Sequence, residues 1–239
     1  MTSRRRTIIA LALAGAASLL GFVGPAAAQE SLKIGIIGTG RIGGALARHW
    51  VAAGHEVFMS SRHPEELADL ARELGPRAQA GTPRDAAAFG DIVLVSVPYA
   101  AMPQIGTDYA AELEGKIVLD TSNPSENRDG PMAVEAKRKG SGIASAEFLR
   151  GTRLVRAFNC IPAASLANQG NRKPQRIAIP IAGDDAEAVA VAERLIDDAG
   201  FDAVLIGGLD SAKYFDLGEP LAHGDWTAAE MRRAAEAMR

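Results

Sequence analysis

Apolar runs of strand length alternate with amphipathic stretches of helix length from residue 32 nearly to the C terminus. The run at 32–37 predicts a strand, and the stretch at 41–53, ended by Gly54, predicts the helix that follows it. Further strands are predicted at 56–59, 91–97, 116–120, 154–158, 177–182 and 203–206, and further helices at 64–74 and 186–199. Nearly continuous apolar strands separated by helices are typical of a parallel sheet covered on both faces. The pattern predicts an α/β protein with a Rossmann-type, doubly wound, mainly parallel sheet and a small C-terminal helical portion at 209–239, broken near Pro220.

The N-terminal residues predict an exported protein. Three consecutive arginines at 4–6 precede an uncharged stretch at 8–23, and small residues ending at Ala28 follow it. This order is typical of a secretory signal peptide over residues 1–28, with a periplasmic mature protein. The arginine run also resembles a twin-arginine signal, used by proteins that cross the membrane folded, and an ordinary signal remains an equal alternative. A retained anchor is the weaker alternative, because the stretch is short of the roughly 20 residues that span a bilayer.

Charge and composition exclude several classes of function. Removal of residues 1–28 takes away three arginines and no acid, so the formal net charge changes from −3 to −6. Neither a nucleic acid nor an anionic membrane surface is therefore expected as a partner. The single cysteine, Cys160, cannot form an internal disulfide, and the four histidines are scattered without metal-binding spacing. No metal site is expected.

A glycine-rich motif lies directly between the first strand and its helix, at Gly38-Thr39-Gly40-Arg41-Ile42-Gly43. In this position the first glycine permits a tight turn, the second lets the backbone approach a pyrophosphate, and the third lets helix and strand pack closely. The free N–H groups of the helix start then face the anion. The motif predicts a dinucleotide-binding site, and the alternative is a tight turn without a ligand.

The end of the second strand distinguishes NAD from NADP. An NAD site has Asp or Glu there to bind the ribose 2′-hydroxyl. Here Ser61 and Arg62 occupy this position, and the first acid is Glu65. Because a hydroxyl and a guanidinium suit a 2′-phosphate, NADP is the predicted cofactor, with a solvated surface arginine as the alternative. We accordingly assign residues 29–160 to an NADP-binding Rossmann domain and 161–239 to a C-terminal portion that continues the sheet and closes the pocket.

Three further turns follow buried strands and carry small polar residues with a proline. Ligands of parallel sheets bind outside the carboxyl ends of the strands, so these turns are candidates for the nicotinamide site. The candidate residues in them are Ser96, Pro98, Asn123, Asn159 and Ala163. Asn123 or Asn159 is suited to bind the carboxamide of the ring. Ordinary turn chemistry is the alternative for each turn taken singly.

These motifs together resemble the NADP oxidoreductases that work with a deazaflavin coenzyme. The resemblance spans roughly residues 32–209 and rests on 38–43, 55–62, 120–124, 156–163 and 182–185. It implies a Rossmann domain with a pocket in which nicotinamide and acceptor stack. It also implies phosphate contacts from four residues of the loop, Thr39, Gly40, Arg41 and Ile42. Ser61 and Arg62, with Thr39, would hold the 2′-phosphate, and Pro98 and Ala163 would lie near the nicotinamide.

Two departures from that family qualify the implied function. Asn159 and Cys160 stand where the deazaflavin enzymes tend to have His and a hydroxyl residue, which bears on the identity of the acceptor. Glu66 stands where a lysine can assist the 2′-phosphate. Hydride transfer between stacked rings needs little from side chains, so the lack of an evident acid–base pair does not argue against it.

The prediction is therefore an NADP-dependent oxidoreductase that exchanges hydride with a second redox coenzyme such as a deazaflavin or flavin. One alternative is a reductase of a small imine or carbonyl, which would need a proton donor such as Tyr99, Tyr214 or His223. Another is a non-catalytic NADP(H) sensor. The sequence also allows a homodimer and does not specify it.

Overall fold

The computed structural model describes residues 30–222 and 225–238. The predicted signal peptide at 1–28 and His223 lie outside the described residues. The strands are β1 (Lys33–Ile37), β2 (Glu56–Ser60), β3 (Ala78–Gly81), β4 (Ile92–Val95), β5 (Ile117–Asp120), β6 (Arg153–Arg156), β7 (Ala178–Gly183) and β8 (Asp202–Gly207). They form one eight-stranded sheet in the order β3-β2-β1-β4-β5-β6-β7-β8. The β6–β7 pair is antiparallel and the pairs on either side of it are parallel.

Helices cover both faces of the sheet. The α-helices are α1 (Arg41–Ala52), α2 (Ala68–Leu74), α3 (Pro83–Phe89), α4 (Met102–Asp108), α5 (Ala110–Leu113), α6 (Glu126–Asp129), α7 (Pro131–Lys139), α8 (Ser141–Phe148), α9 (Ala163–Asn168), α10 (Ala186–Asp198) and α11 (Ala228–Glu236). Short 3₁₀ helices lie at Pro64–Leu67, Tyr99–Ala101, Leu209–Phe215 and Pro220–Ala222. None of the described helices is long and apolar enough to cross a membrane.

The central strands are buried because both faces of the sheet are covered. β4 and β5 are buried at every position, which explains their uninterrupted apolar sequences. On one face α1 packs beside α10, and the buried Trp50 indole donates to the carbonyl oxygen of Leu195 at 2.9 Å. Local signals begin the helices: Asp185 accepts from the Ala188 N–H at the start of α10. The sheet is thus a rigid support for the turns at its carboxyl edge.

The predicted sheet and its central helices agree with the structure, but several bounds differ and some elements were not predicted. β4 ends at Val95 rather than 97, and helices such as α3, α7 and α8 were not predicted. The helix predicted at 64–74 begins as a 3₁₀ turn and becomes α-helical at Ala68. β3 was not predicted, because it is a short, half-buried edge strand without an apolar run. β6 ends at Arg156 rather than 158, because Phe158 has a φ of +58° and leaves the extended conformation. β7 and β8, from the C-terminal portion, extend the sheet beyond β6, and a division at residue 160 stays a prediction.

Candidate functional site

The turn between β1 and α1 requires glycine at two positions. Gly38 has a φ of +97°, and an added Cβ there would lie 2.4 Å from the carbonyl oxygen of Ser96. At Gly43 an added Cβ would lie 2.4 Å from the carbonyl oxygen of Gly38, because α1 packs directly on the turn. Both distances are too short for any side chain. They account for the first and last glycines of the predicted motif.

Gly40 differs from both, because nothing lies within 4 Å of the Cβ that it lacks. It is the N-cap of α1, gives the helix no side-chain cap, and precedes a first turn without an acidic residue. The N–H groups of Arg41 and Ile42 belong to that first turn and therefore lack intrahelical acceptors. The start of α1 presents these donors and the positive end of the helix dipole to open space. This geometry suits a phosphate group.

Thr39 connects the glycine loop to the end of β2. Its N–H donates to the carbonyl oxygen of Ser60 at 2.9 Å, and its Oγ1 accepts from the Ser60 N–H at 3.1 Å. Ser61 and Arg62 follow directly in the chain. The structure therefore brings the residues predicted to hold a 2′-phosphate next to the loop predicted to hold the pyrophosphate.

Two cations at this corner have no acidic neighbour in contact within the described part of the chain. Arg41 and Arg62 are exposed, and neither forms an ion pair within residues 30–222 and 225–238, whereas the adjacent His63 faces Glu65 at 3.5 Å. Glu66, the departure noted in the sequence, is exposed on the following turn. The guanidinium groups of both arginines are thus available to an anion.

The turn after β4 places one predicted residue in the sheet and one at its surface. The Ser96 N–H donates to the carbonyl oxygen of Ile37 at 2.9 Å and so extends the β1–β4 pairing. Pro98 is exposed and begins the 3₁₀ helix that contains Tyr99. Tyr99 is fully buried, and burial raises the pKa of its hydroxyl to about 12. The hydroxyl therefore remains protonated at physiological pH, and its burial removes it from the surface of the site.

The turns after β5 and β6 are joined by their asparagines. The Asn123 side-chain amide donates to the carbonyl oxygen of Asn159 at 2.6 Å, and the Asn159 amide donates to Asn123 Oδ1 at 3.2 Å. The Asn159 amide also donates to the carbonyl oxygen of Phe215 at 3.0 Å, in the C-terminal portion. Asn159 Oδ1 is buried without a hydrogen-bond partner among the described residues. The two predicted carboxamide ligands thus form one unit, which retains a free acceptor.

The residue before this unit has a strained backbone. Phe158 is buried and has a φ of +58°, a conformation that bulky side chains rarely adopt. Such strain persists where the surroundings over-determine the backbone, and it is concentrated at functional sites. Here the conformation turns the chain sharply after β6 and positions Asn159 and Cys160.

A charged cluster that sequence reasoning missed lies beneath this edge. Arg156 and Asp120, the last residues of β6 and β5, are fully buried and pair at 2.6 Å, and Arg156 Nη1 also donates to the carbonyl oxygen of Ser122 at 2.7 Å. Arg156 Nη2 lies 3.6 Å from a carboxylate oxygen of Asp216, which accepts hydrogen bonds from the N–H and the hydroxyl of Ser141. Desolvation opposes the charge of Arg156, but the two carboxylates outweigh it and raise its pKa.

Cys160 and Ala163 follow the strained residue. Cys160 is partly buried, and desolvation of its sulfur raises the pKa of the thiol to about 12. Ala163 is partly buried and begins α9 directly after Pro162. A thiol that stays protonated is a poor nucleophile, so Cys160 is a structural neighbour of the site rather than a reactive group.

Other features of the described residues lie apart from this edge. Two surface cavities, of about 290 and 430 Å³, lie where α11 meets β8 and the segment before β7, and none of the predicted site residues lines them. Within residues 30–222 and 225–238, no group of three or more His, Cys, Asp or Glu side chains is placed to hold a metal ion. Tyr214, a predicted proton-donor candidate, is partly buried beside Lys213.

Comparison with known proteins gives a consistent picture. Residues 33–124 match the family described as NADP oxidoreductase coenzyme F420-dependent. The F420-dependent NADP reductase of Methanothermobacter thermautotrophicus is 32% identical over 204 residues, covering 80% of this chain and 87% of that protein. A metalloreductase of Rattus norvegicus, STEAP3, is 29% identical over 191 residues, which are 77% of this chain and 36% of that protein.

A solved structure agrees with the fold over nearly its whole length. A hypothetical protein from Sinorhizobium meliloti superposes with a TM-score of 0.69 and 28% identity, covering 82% of this chain and 95% of that chain.

Proposed function

Because the chain belongs to the family of coenzyme F420-dependent NADP oxidoreductases, we propose that it transfers hydride between NADP(H) and a deazaflavin coenzyme. The observation that carries the proposal is the open space at Gly40, at the start of α1. Thr39, the neighbour of Gly40, accepts a hydrogen bond from the Ser60 N–H, so Ser61 and Arg62 lie close to this space. A pyrophosphate and a 2′-phosphate need this pair of neighbouring anion sites.

The residues present fit the adenosine half of NADP(H). The backbone N–H groups of Gly40, Arg41 and Ile42 would bind the pyrophosphate, because no side chain occupies the space before them. The Ser61 hydroxyl and the Arg62 guanidinium would bind the 2′-phosphate. A carboxylate at the position of Arg62 would instead repel that group.

The residues after β4, β5 and β6 fit the nicotinamide half and the acceptor. Ser96, Pro98 and Ala163 are small or rigid and leave room for flat rings, and Asn159 Oδ1 is a buried acceptor suited to a carboxamide. When bound, the nicotinamide carries the hydride and the deazaflavin takes it up together with a proton, so no side chain has to act as a redox group. The protein orients the rings and excludes water.

A panel of acceptors tests the proposal. Purified protein is incubated with NADPH and, in separate reactions, with a deazaflavin, FMN, cyclic imines and small carbonyls, while nicotinamide and acceptor absorbance are followed together. We expect stoichiometric NADPH oxidation with the deazaflavin. Turnover only with imines or carbonyls would support a small-substrate reductase, and tight NADPH binding without any turnover would support a sensor.

Arginine variants serve as controls for the panel. Arg62→Ala should lose deazaflavin turnover at NADPH concentrations that saturate the wild type, because the 2′-phosphate loses its cation. Arg72→Ala, which removes an exposed arginine paired with Asp69 on α2, should leave turnover unchanged.

We also propose that the protein is exported in folded form with its cofactor bound. NADPH is not ordinarily supplied outside the cytoplasm, and the arginine run at 4–6 is the type of signal that directs folded proteins. Protein recovered from the periplasm should retain NADP(H), measurable by enzymatic cycling after denaturation. Recovery from the periplasm without nucleotide and with weak affinity would contradict this proposal, and Arg5→Lys with Arg6→Lys should block export.

A further inference from the structure

The buried cluster of Asp120, Arg156 and Asp216 contains more negative than positive charge. Its two carboxylates and one guanidinium give a formal net charge of −1, and the three residues are 0%, 0% and 8% exposed. The Asp120–Arg156 contact is close, at 2.6 Å, whereas Asp216 lies 3.6 Å from Arg156 and is only partly compensated. A buried charge is weakly screened, so its field extends to neighbouring groups.

Several buried polar atoms around the cluster lack a hydrogen-bond partner among the described residues, which indicates that another polar group binds there. Among the described residues, Arg156 Nε and Nη2, Ser122 Oγ and Asn159 Oδ1 are buried without a hydrogen-bond partner. These residues are at most 5% exposed. Buried polar atoms are normally paired, so such a concentration at one edge indicates a bound polar group or ordered water.

The position of the cluster relative to a dinucleotide follows from the topology and rests on the proposed binding of NADP(H). The order in which successive strands are added to the sheet reverses between the parallel neighbours β1 and β4, and dinucleotides bind across this point. With the adenosine ribose at the end of β2, the nicotinamide half extends toward the ends of β4, β5 and β6. Asp120 and Arg156 are the last residues of β5 and β6.

We propose that the Asp120–Arg156–Asp216 cluster stabilises oxidised over reduced nicotinamide in the bound state. The ring carries one positive charge in NADP⁺ and none in NADPH, while the remaining charges of the two molecules are the same. A net negative charge at the ends of β5 and β6, where the ring would bind, therefore favours binding of NADP⁺ over NADPH. The cluster therefore favours hydride donation by bound NADPH. Asp216 acts as a positioning residue through its negative charge and need not touch the ring.

The experiment compares the dissociation constants of NADP⁺ and NADPH in the wild type and in Asp216→Asn, by calorimetry and nicotinamide fluorescence. The variant keeps the size of the side chain and removes one negative charge. We expect the ratio of Kd for NADP⁺ to Kd for NADPH to rise about three- to tenfold, as for a charge at intermediate effective dielectric. A tenfold change corresponds to about 30 mV in the potential of the bound two-electron couple.

Matched variants separate charge from structure. Asp216→Glu keeps the charge and should keep the ratio. Asp197→Asn, at an exposed position on α10 where the carboxylate pairs with Arg176, changes the net charge equally and should also keep the ratio. Asp120→Asn removes the other carboxylate charge and should raise the ratio in the same direction, which provides a second test where Asp216→Asn does not fold.

The outcomes distinguish this inference from the proposed function. An equal loss of affinity for both dinucleotides in Asp216→Asn, or an unchanged ratio, would overturn the inference and leave NADP(H) binding intact. A wild-type protein that bound neither NADP⁺ nor NADPH would overturn the proposed function itself, and the inference with it.

Discussion

The two halves of the candidate site are built in opposite ways. The phosphate corner, formed by Gly38–Gly43 with Ser61 and Arg62, is open, and its arginines are exposed without ion pairs among the described residues. The buried edge, formed by the turns after β4, β5 and β6 with Asp216, is interlocked by hydrogen bonds and a buried ion pair. The first half offers free donors and cations to an anion, and the second holds its charged side chains in a buried cluster with a formal net charge of −1.

The difference between the two halves separates the residues that determine cofactor affinity from those that also stabilise the fold. The phosphate corner comes from one βαβ unit, so its exposed residues, such as Arg62, can change with little effect on the rest of the protein. The buried edge takes Asp120, Arg156 and Asp216 from three distant segments, so its residues also hold the fold together. Variants in the first half should alter affinity, and variants in the second should alter both stability and the properties of the bound ring.

The largest effect is expected from Arg156→Ala. It leaves Asp120 buried without its cation, which should lower the free energy of unfolding by about 3–5 kcal/mol in urea denaturation. The matched control is Arg153→Ala on the same strand, whose partners Asp185 and Glu187 are largely exposed, and it should cost at most about 1 kcal/mol. Equal losses for the two variants would mean that the buried edge is not a stabilising element.

Arg62→Ala should come next and should act on binding alone. Loss of a charged hydrogen bond should weaken NADPH binding by about 1.5–3 kcal/mol and leave NADH nearly unaffected, as measured by fluorescence titration. The ratio of Kd for NADP⁺ to Kd for NADPH should not change, in contrast to Asp216→Asn. A shift of that ratio by Arg62→Ala would show that the two halves are not independent.

A pair of glycine variants separates the contribution of the phosphate corner to stability from its contribution to NADPH binding. Gly43→Ala places a Cβ 2.4 Å from the carbonyl oxygen of Gly38, so α1 must move, and we expect a loss of about 1–3 kcal/mol in stability together with NADPH affinity. Gly40→Ala meets nothing within 4 Å and should leave the midpoint of thermal unfolding unchanged. It should weaken NADPH binding nevertheless, because the methyl group enters the space for the pyrophosphate. Unchanged binding would exclude that space as the site.

The smallest effect on stability is expected from deprotonation of the Cys160 thiol. Its pKa is raised by burial from 9.0 to about 12 in the folded protein. The unfolded chain therefore releases this proton first, so the stabilising contribution is present below pH 9 and is lost as the pH rises toward 12. Alkylation by iodoacetamide near pH 9.0 should be at least about tenfold slower in the native protein than in urea, since little thiolate forms. Equal rates would contradict a buried, protonated thiol.

The sequence identified correctly what depends on local pattern. The resemblance to the deazaflavin-linked NADP oxidoreductases is confirmed, as are the Rossmann-type fold and the assignment to NADP-dependent oxidoreductases. Gly38 and Gly43 stand where the motif requires them, because turn geometry is set by neighbouring residues. The individual binding residues, the boundary at 160 and the periplasmic location stay predictions.

The sequence could not identify what depends on long-range pairing. Asp120 ends an otherwise apolar strand, and Arg156 ends a strand that also begins with an arginine. Opposite charges at the ends of neighbouring strands were a signal that the two side chains pair. Nothing in the local pattern connects either of them to Asp216, which reaches them only through the path of the C-terminal 3₁₀ helix. The strain at Phe158 was equally hidden, because its sequence reads as a continuation of the strand.

The contribution of Phe215 and Asp216 to the buried edge has a consequence for biosynthesis. The glycine loop leaves the ribosome early, but the carbonyl oxygen bound by Asn159 and the carboxylate facing Arg156 are among the last groups to be made. A nascent chain halted before residue 209 should hold nucleotide phosphates weakly and lack a finished ring site. We therefore expect full affinity for NADP(H) only in chains that contain the C-terminal segment.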